Sequence, residues 1–173
     1  MWAVGAVVVA FALAGCVRSN EPILGDAKAI LGERLQIHVF AANPDGLRDA
    51  STSSFVWDGK RYALRGRSRE INDFTVHAYE GRDLIVQSKT ARGERGYAYG
   101  LARKIAEGVY LVVPIDENDA DEPARQRFCV MTGSASCRIE TPEQLFVFAR
   151  ATAARDDERI PFFLAVVMPA RQR

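Results

Sequence analysis

Two histidines, one dense acidic run and one evenly spaced set of arginines are the groups in this 173-residue chain whose types and spacing could do chemistry. His38 lies in Gln36-Ile37-His38-Val39-Phe40 and His77 in Phe74-Thr75-Val76-His77-Ala78-Tyr79. Both stretches alternate as strands do. As neighbours, the two imidazoles and a carboxylate would form an acid–base or metal site; apart, they are half-exposed strand residues. Asp116-Glu117-Asn118-Asp119-Ala120-Asp121-Glu122 concentrates the oxygen ligands that calcium takes. It lacks the sixth-position glycine and the ligand spacing of an EF-hand loop, and its crowded like charges favour a solvated loop. Arg65, Arg67 and Arg69 would project to one side of an extended segment. Guanidinium forks match phosphate and carboxylate, which makes lipid headgroups, lipopolysaccharide or an acidic protein candidate partners against the plainer account of a solvated loop. No serine nucleophile elbow, Ser-x-x-Lys, His-Glu-x-x-His or phosphate-cradling glycine loop occurs. No catalytic residue, metal or cofactor is therefore assigned.

The segment before these groups carries the most specific pattern. Met1 to Gly15 is an uncharged run rich in Ala, Val, Gly, Leu and Phe, and it closes on Leu13-Ala14-Gly15-Cys16. A spanning helix needs about 20 apolar residues. This run is shorter and is followed by Val17-Arg18-Ser19-Asn20, as a secretory signal and its cleavage site would be. It resembles a bacterial lipoprotein signal peptide, and the four residues resemble its lipobox. The resemblance covers residues 1 to about 18. It implies cleavage before Cys16, a diacylglycerol thioether on that cysteine and an acylated amino terminus. By the family's sorting pattern, Val17 rather than Asp after the cysteine implies the outer membrane, facing the periplasm. Several acyl chains hold far more firmly than one, since each buried methylene is worth about 0.8 kcal/mol. Met1 to Gly15 has no Lys or Arg, so the true start is expected upstream.

With residues 1–15 removed, 158 of the 173 residues remain, enough for one domain with its own core. All 23 Lys and Arg and all 22 Asp and Glu fall in that part, so no bulk charge argues for nucleic acid. With Cys16 lipidated, Cys129 and Cys137 form an even pair suited to an oxidising compartment. Their loop of about eight residues would contribute on the order of 2.5 kcal/mol as a disulfide. The spacing is neither that of a zinc knuckle nor Cys-x-x-Cys.

The elements that must position these groups follow from periodicity. Residues 16–32 are expected as lipid anchor and tether, and 33–173 as a single β-rich domain. Strands are expected near 36–40, then at Ser54–Trp57 and Arg61–Leu64 around Asp58-Gly59, a strong hairpin signal. Phe74–Tyr79 and Leu84–Gln87 flank a second turn, and Tyr97–Leu101 and Val109–Val113 a third ending in Glu107-Gly108; Arg103 to Glu107 is open to a helical turn. Thr141 as N-cap, Pro142 at N1 and Gln144 at N3 start a helix. Its buried stripe is Leu145, Phe148, Ala149 and Thr152, and it stops near Arg155. Phe162 to Met168 reads as a buried strand. The fold class is α+β: an antiparallel meander, as a sheet or partly closed barrel, with one C-terminal helix packed on it.

The expected role is a non-catalytic envelope lipoprotein that binds or scaffolds an envelope protein or an anionic envelope component. Trp57, Tyr62, Tyr79, Tyr97, Tyr99, Tyr110 and the arginines are its candidate anchors. One alternative is an inhibitor of a cell-wall hydrolase presenting the Cys129–Cys137 loop. The other is an envelope enzyme using His38 and His77.

Overall fold

The computed structural model describes residues 17–43, 46–65, 73–90, 96–131, 137–155 and 163–169. In chain order its strands are β1 (Arg18–Ser19), β2 (Arg34–Asn43), β3 (Gly46–Trp57), β4 (Tyr62–Arg65), β5 (Phe74–Ala78), β6 (Asp83–Lys89), β7 (Tyr97–Ala106) and β8 (Val109–Pro114). A 3-10 turn (Glu117–Asp119), helix α1 (Glu122–Phe128), β9 (Val130–Met131), β10 (Cys137–Arg138), helix α2 (Pro142–Ala154) and β11 (Phe163–Pro169) complete it. Each strand from β2 to β8 pairs antiparallel with the next, β8 pairs with β11, and β11 pairs with β2. The meander therefore closes into an eight-stranded up-and-down barrel.

Tight turns gather at one end of this barrel. Asp58 accepts from the amides of Lys60 and Arg61 at 2.9 Å each, fixing the β3–β4 turn around Gly59. The β5–β6 turn bends at Gly81 and the β7–β8 turn at Gly108, both at positive φ. Arg103 to Glu107 does not form a helical turn: β7 stays extended to Ala106 with an irregularity between Lys104 and Ala106. At this hairpin end β11 finishes, and Gly108 receives the Val167 amide at 2.7 Å.

Alternation places Leu35, Ile37, Val39, Phe55, Tyr62, Phe74 and Val76 inside, where they form one apolar cluster. Phe55, Tyr62 and Phe74 pack with ring centroids 4.9 to 5.1 Å apart. A second cluster lies outside the barrel. There Ile85, Tyr99 and Leu101 meet Leu145, Phe148 and Ala149 of α2, together with Val17, Ile115 and Ile139. The α2 stripe is the one its sequence spacing predicts, with Leu145, Phe148, Ala149 and Thr152 all buried. Its capping box is complete: Thr141 Oγ1 accepts from the Gln144 amide at 3.4 Å, and Gln144 Oε1 accepts from the Thr141 amide at 3.1 Å.

Two expectations change. The helix is not alone, because α1 grows out of the acidic run: Asp121 caps it by accepting the Ala124 amide at 2.9 Å, ahead of Pro123 in the first turn. The segment from Val17 to Gly32, expected as a tether, is strapped across the barrel. The Val17 amide donates to the Ile115 carbonyl at 3.0 Å, and Arg18 pairs with Ala98 and Arg138. The Leu24 amide donates to Gln87 Oε1 at 3.2 Å and the Leu31 amide to the Tyr62 hydroxyl at 2.9 Å.

The strap leaves no room at Gly96. At φ +112° it passes so close to Ser19 that a Cβ there would stand 2.2 Å from the Ser19 carbonyl oxygen. Gly96→Ala should lower unfolding free energy by about 1–3 kcal/mol, through both the clash and the left-handed backbone. Gly25→Ala, with nothing within 4 Å, should change it little. Urea denaturation of the two variants beside wild type checks this. Equal midpoints would show that the strap does not rest on Gly96.

Candidate functional site

The predicted groups are dispersed by the fold. His38 lies on the outer face of β2, opposite Thr52, whose Oγ1 is 2.9 Å from its Nδ1. His77 lies on the outer face of β5, with Nε2 2.8 Å from Thr75 Oγ1, and burial depresses its pKa. Strands β3 and β4 stand between them, a lateral separation of three strand spacings or about 14 Å at about 4.8 Å each, and the register offsets them further along the strands. The structure does not bring them together.

The acidic run is consumed by local structure. Asp116 caps the 3-10 turn by accepting the Asn118 amide at 2.9 Å, and Asp121 caps α1. Glu122 accepts from Gln126 at 2.9 Å and pairs with Arg125. Asp119 accepts from Thr152 Oγ1 at 2.8 Å and pairs with Arg155. Among the described residues no group of three His, Cys, Asp or Glu side chains could hold a metal ion.

Cys129 and Cys137 are disulfide-bonded, with Cα atoms 4.8 Å apart. The bridge joins the C-cap of α1 to β10. Arg65 is exposed at the last residue of β4. Cys16, Arg67, Arg69 and the loop at 132–136 lie outside the described residues.

The aromatic residues divide between the two clusters. Trp57 and Tyr62 face the barrel interior, their rings 5.1 Å apart. Tyr79 packs on Phe146 of α2. Tyr99 is fully buried beneath the strap with its hydroxyl 2.5 Å from Ser19 Oγ, and burial pushes its pKa up to about 12.

Tyr110 instead faces a cavity of about 710 Å³ at the hairpin end of the barrel. Leu31 of the strap lies over one side of it, and Leu84, Tyr110 and Val167 form its apolar walls. The β7–β8 turn contributes Ile105, Ala106, Glu107 and Gly108. Two cations stand at it. Arg82 comes from the β5–β6 turn, and Lys104 donates to Glu107 Oε2 at 2.6 Å. Glu107 holds the Lys104 pKa above its usual value, while the like charge of Arg82 opposes this. Sequence reasoning missed the cavity. Its trace on β7 is Lys104, a charged residue that continues the inward set Ala98, Gly100 and Ala102.

One buried carboxylate stands apart. Glu117 is 5 % exposed, and its Oε2 has no hydrogen-bond partner among the described residues. Burial raises its pKa above the ordinary 4.5, against the amides of Glu117 itself and of Cys137, which donate to it. Comparison of the chain with protein-family models, curated proteins and solved structures found no match.

A raised folded-state pKa means that the native state holds the proton over a pH range where the unfolded chain has lost it. Stability from this group therefore falls as pH rises from the ordinary value through the raised one. Relative to Glu117→Gln, wild type should lose stability across that window and keep a constant difference on either side. Thermal unfolding of both proteins from pH 3 to 8 measures it. Parallel curves throughout would show that Glu117 does not titrate differently on folding.

Proposed function

We propose that this chain is a bacterial envelope lipoprotein, anchored through Cys16 in the outer membrane and facing the periplasm, whose barrel is a non-catalytic binding body. The observation that carries the binding role is the cavity of about 710 Å³ at the hairpin end, within the 300–1,000 Å³ range of small-ligand sites. Eight strands make a barrel just wide enough to be filled by side chains or to hold one small ligand. Here large side chains fill the β2–β5 side and small ones line β7. The candidate catalytic groups are dispersed: His38 and His77 each bond a threonine on separate strands, and Asp116 and Asp121 of the acidic run cap the 3-10 turn and α1. The disulfide supports an oxidising compartment, and the lipobox-like residues 13–16 support the anchor.

The strap gives this anchor a direction. Cys16 precedes Val17, which is buried and bonded to Ile115 at the β1 end of the barrel. From Ala98, beside Arg18, to Lys104 at the cavity is about 20 Å of strand, at roughly 3.3 Å per residue. A lipid on Cys16 would hold the β1 end at the bilayer and turn the cavity away from it.

Intact mass of the protein from native membranes, beside a Cys16→Ser form, tests the anchor. The expected mass begins at Cys16, carries acyl chains and rises by about two daltons on reduction, while the Cys16→Ser form leaves the membrane fraction. An unacylated chain in the soluble fraction would sink the envelope assignment. Stoichiometric inhibition of a lysozyme-type hydrolase, lost on reduction, would replace the cavity by the Cys129–Cys137 loop as the binding element.

A further inference from the structure

The composition of the cavity selects a ligand. We infer that it takes the tail of a single-chain amphiphile with an anionic head, a carboxylate or phosphate, which Lys104 and Arg82 hold at the rim; this rests on the barrel being a binding body. Leu31, Leu84, Tyr110 and Val167 offer a tail an apolar wall continuous with the barrel core. Lys104 stands on the inward-facing register of β7, following Ala98, Gly100 and Ala102, so its stem rises from the interior and its ammonium reaches the edge. Arg82 lies near enough for its charge to act on Lys104. The present partner of Lys104, Glu107, has a side chain 94 % exposed. Exchanging such a pair for an incoming anion costs little, because exposed ion pairs contribute little.

The rim is also the place where apolar surface is exposed. Among the described residues the large hydrophobic side chains left exposed are Ile30, Ile105 and Met168. Ile30 and Ile105 line this cavity, while Met168 alternates with its wall residues Val167 and Pro169 and lies on the outer face of β11. An apolar rim with two basic groups complements an amphiphile in both its parts. With the anchor proposed at Cys16, a single chain is favoured over a bilayer lipid, because the cavity opens at the end of the barrel opposite Val17 and its ligand would arrive through water.

The test is a titration of the full-length chain carrying Cys16→Ser, followed by amide NMR, with laurate, dodecyl phosphate and dodecyltrimethylammonium, each kept below its aggregation concentration. Laurate and dodecyl phosphate should shift the amides of Leu31, Leu84, Gly108 and Tyr110, and the cationic analogue should bind at least tenfold more weakly. Lys104→Met and Arg82→Gln should each weaken laurate about tenfold, as loss of a charge-assisted hydrogen bond does. Glu107→Gln should tighten it several-fold by releasing Lys104, a gain that a merely structural role for Glu107 would not produce. Preference between the two anions identifies the head, carboxylate or phosphate. Equal affinity for the cationic chain, shifts confined to other parts of the barrel, or no binding by protein with the spectrum of the folded state would each overturn the inference. None of these would touch the anchor, which the intact mass decides separately.

Discussion

Everything in this fold depends on β11 pairing on both sides. It meets β2 over seven residue pairs, Phe163 to Pro169, and β8 over four, Phe163 to Val166. Remove it and β2 and β8 become edges, each with a row of unpaired amides and carbonyls. Closure also decides which residues form the interior. Once Ala165 faces Val39 on one side and Tyr110 on the other, the inward set of every strand follows from its register. Helix α2, which the chain carries between β8 and β11, then lies outside and packs on the outer face of β6 and β7.

That covering explains why the barrel is filled unevenly. A strand buried on both faces has two sets of side chains to place, and β7 sends its large ones outward. Tyr99 and Leu101 pack with Phe148 and Leu145, while Ala98, Gly100 and Ala102 turn in. Opposite them, Phe55, Tyr62 and Phe74 crowd the β3–β5 side. The cavity lies beyond the row of Ala98, Gly100 and Ala102, at the hairpin end, where the next inward position of β7 is Lys104 and its partner on β8 is Tyr110.

Local chemistry made much of this readable in advance. The Thr141-Pro142-Glu143-Gln144 start and the four-residue stripe of α2 were set by spacing alone, and so were the hairpins at Asp58-Gly59 and Glu80 to Asp83. What spacing does not carry is which face of a two-sided strand points in. In Tyr97-Ala98-Tyr99-Gly100-Leu101 the large residues suggest the core, and they do enter one, but it is the outer core under α2. The cavity was invisible for the same reason, because its walls come from four strands, β6, β7, β8 and β11, and a strap whose meeting depends on closure. The acidic run misled differently. Its like charges suggested a solvated loop, yet Asp116 and Asp121 are each placed two or three residues before an amide that needs an acceptor. Asp121-Glu122-Pro123 was a helix start in plain view, outweighed by charge density.

The strap alters what an anchor would mean. A free linker of some 16 residues could extend to about 50 Å and let the barrel turn in any direction. Here Val17 is fully buried, Ser19 is 3 % exposed, and Gly96 lies so close beneath that no side chain fits. A lipid on the preceding cysteine would transmit the bilayer's orientation to the barrel with almost no slack. The cavity mouth would then face the aqueous compartment by construction, and the hairpin end would be the surface first met by anything diffusing there. Fastening the strap would thus couple the place of such an anchor to the direction in which the cavity opens.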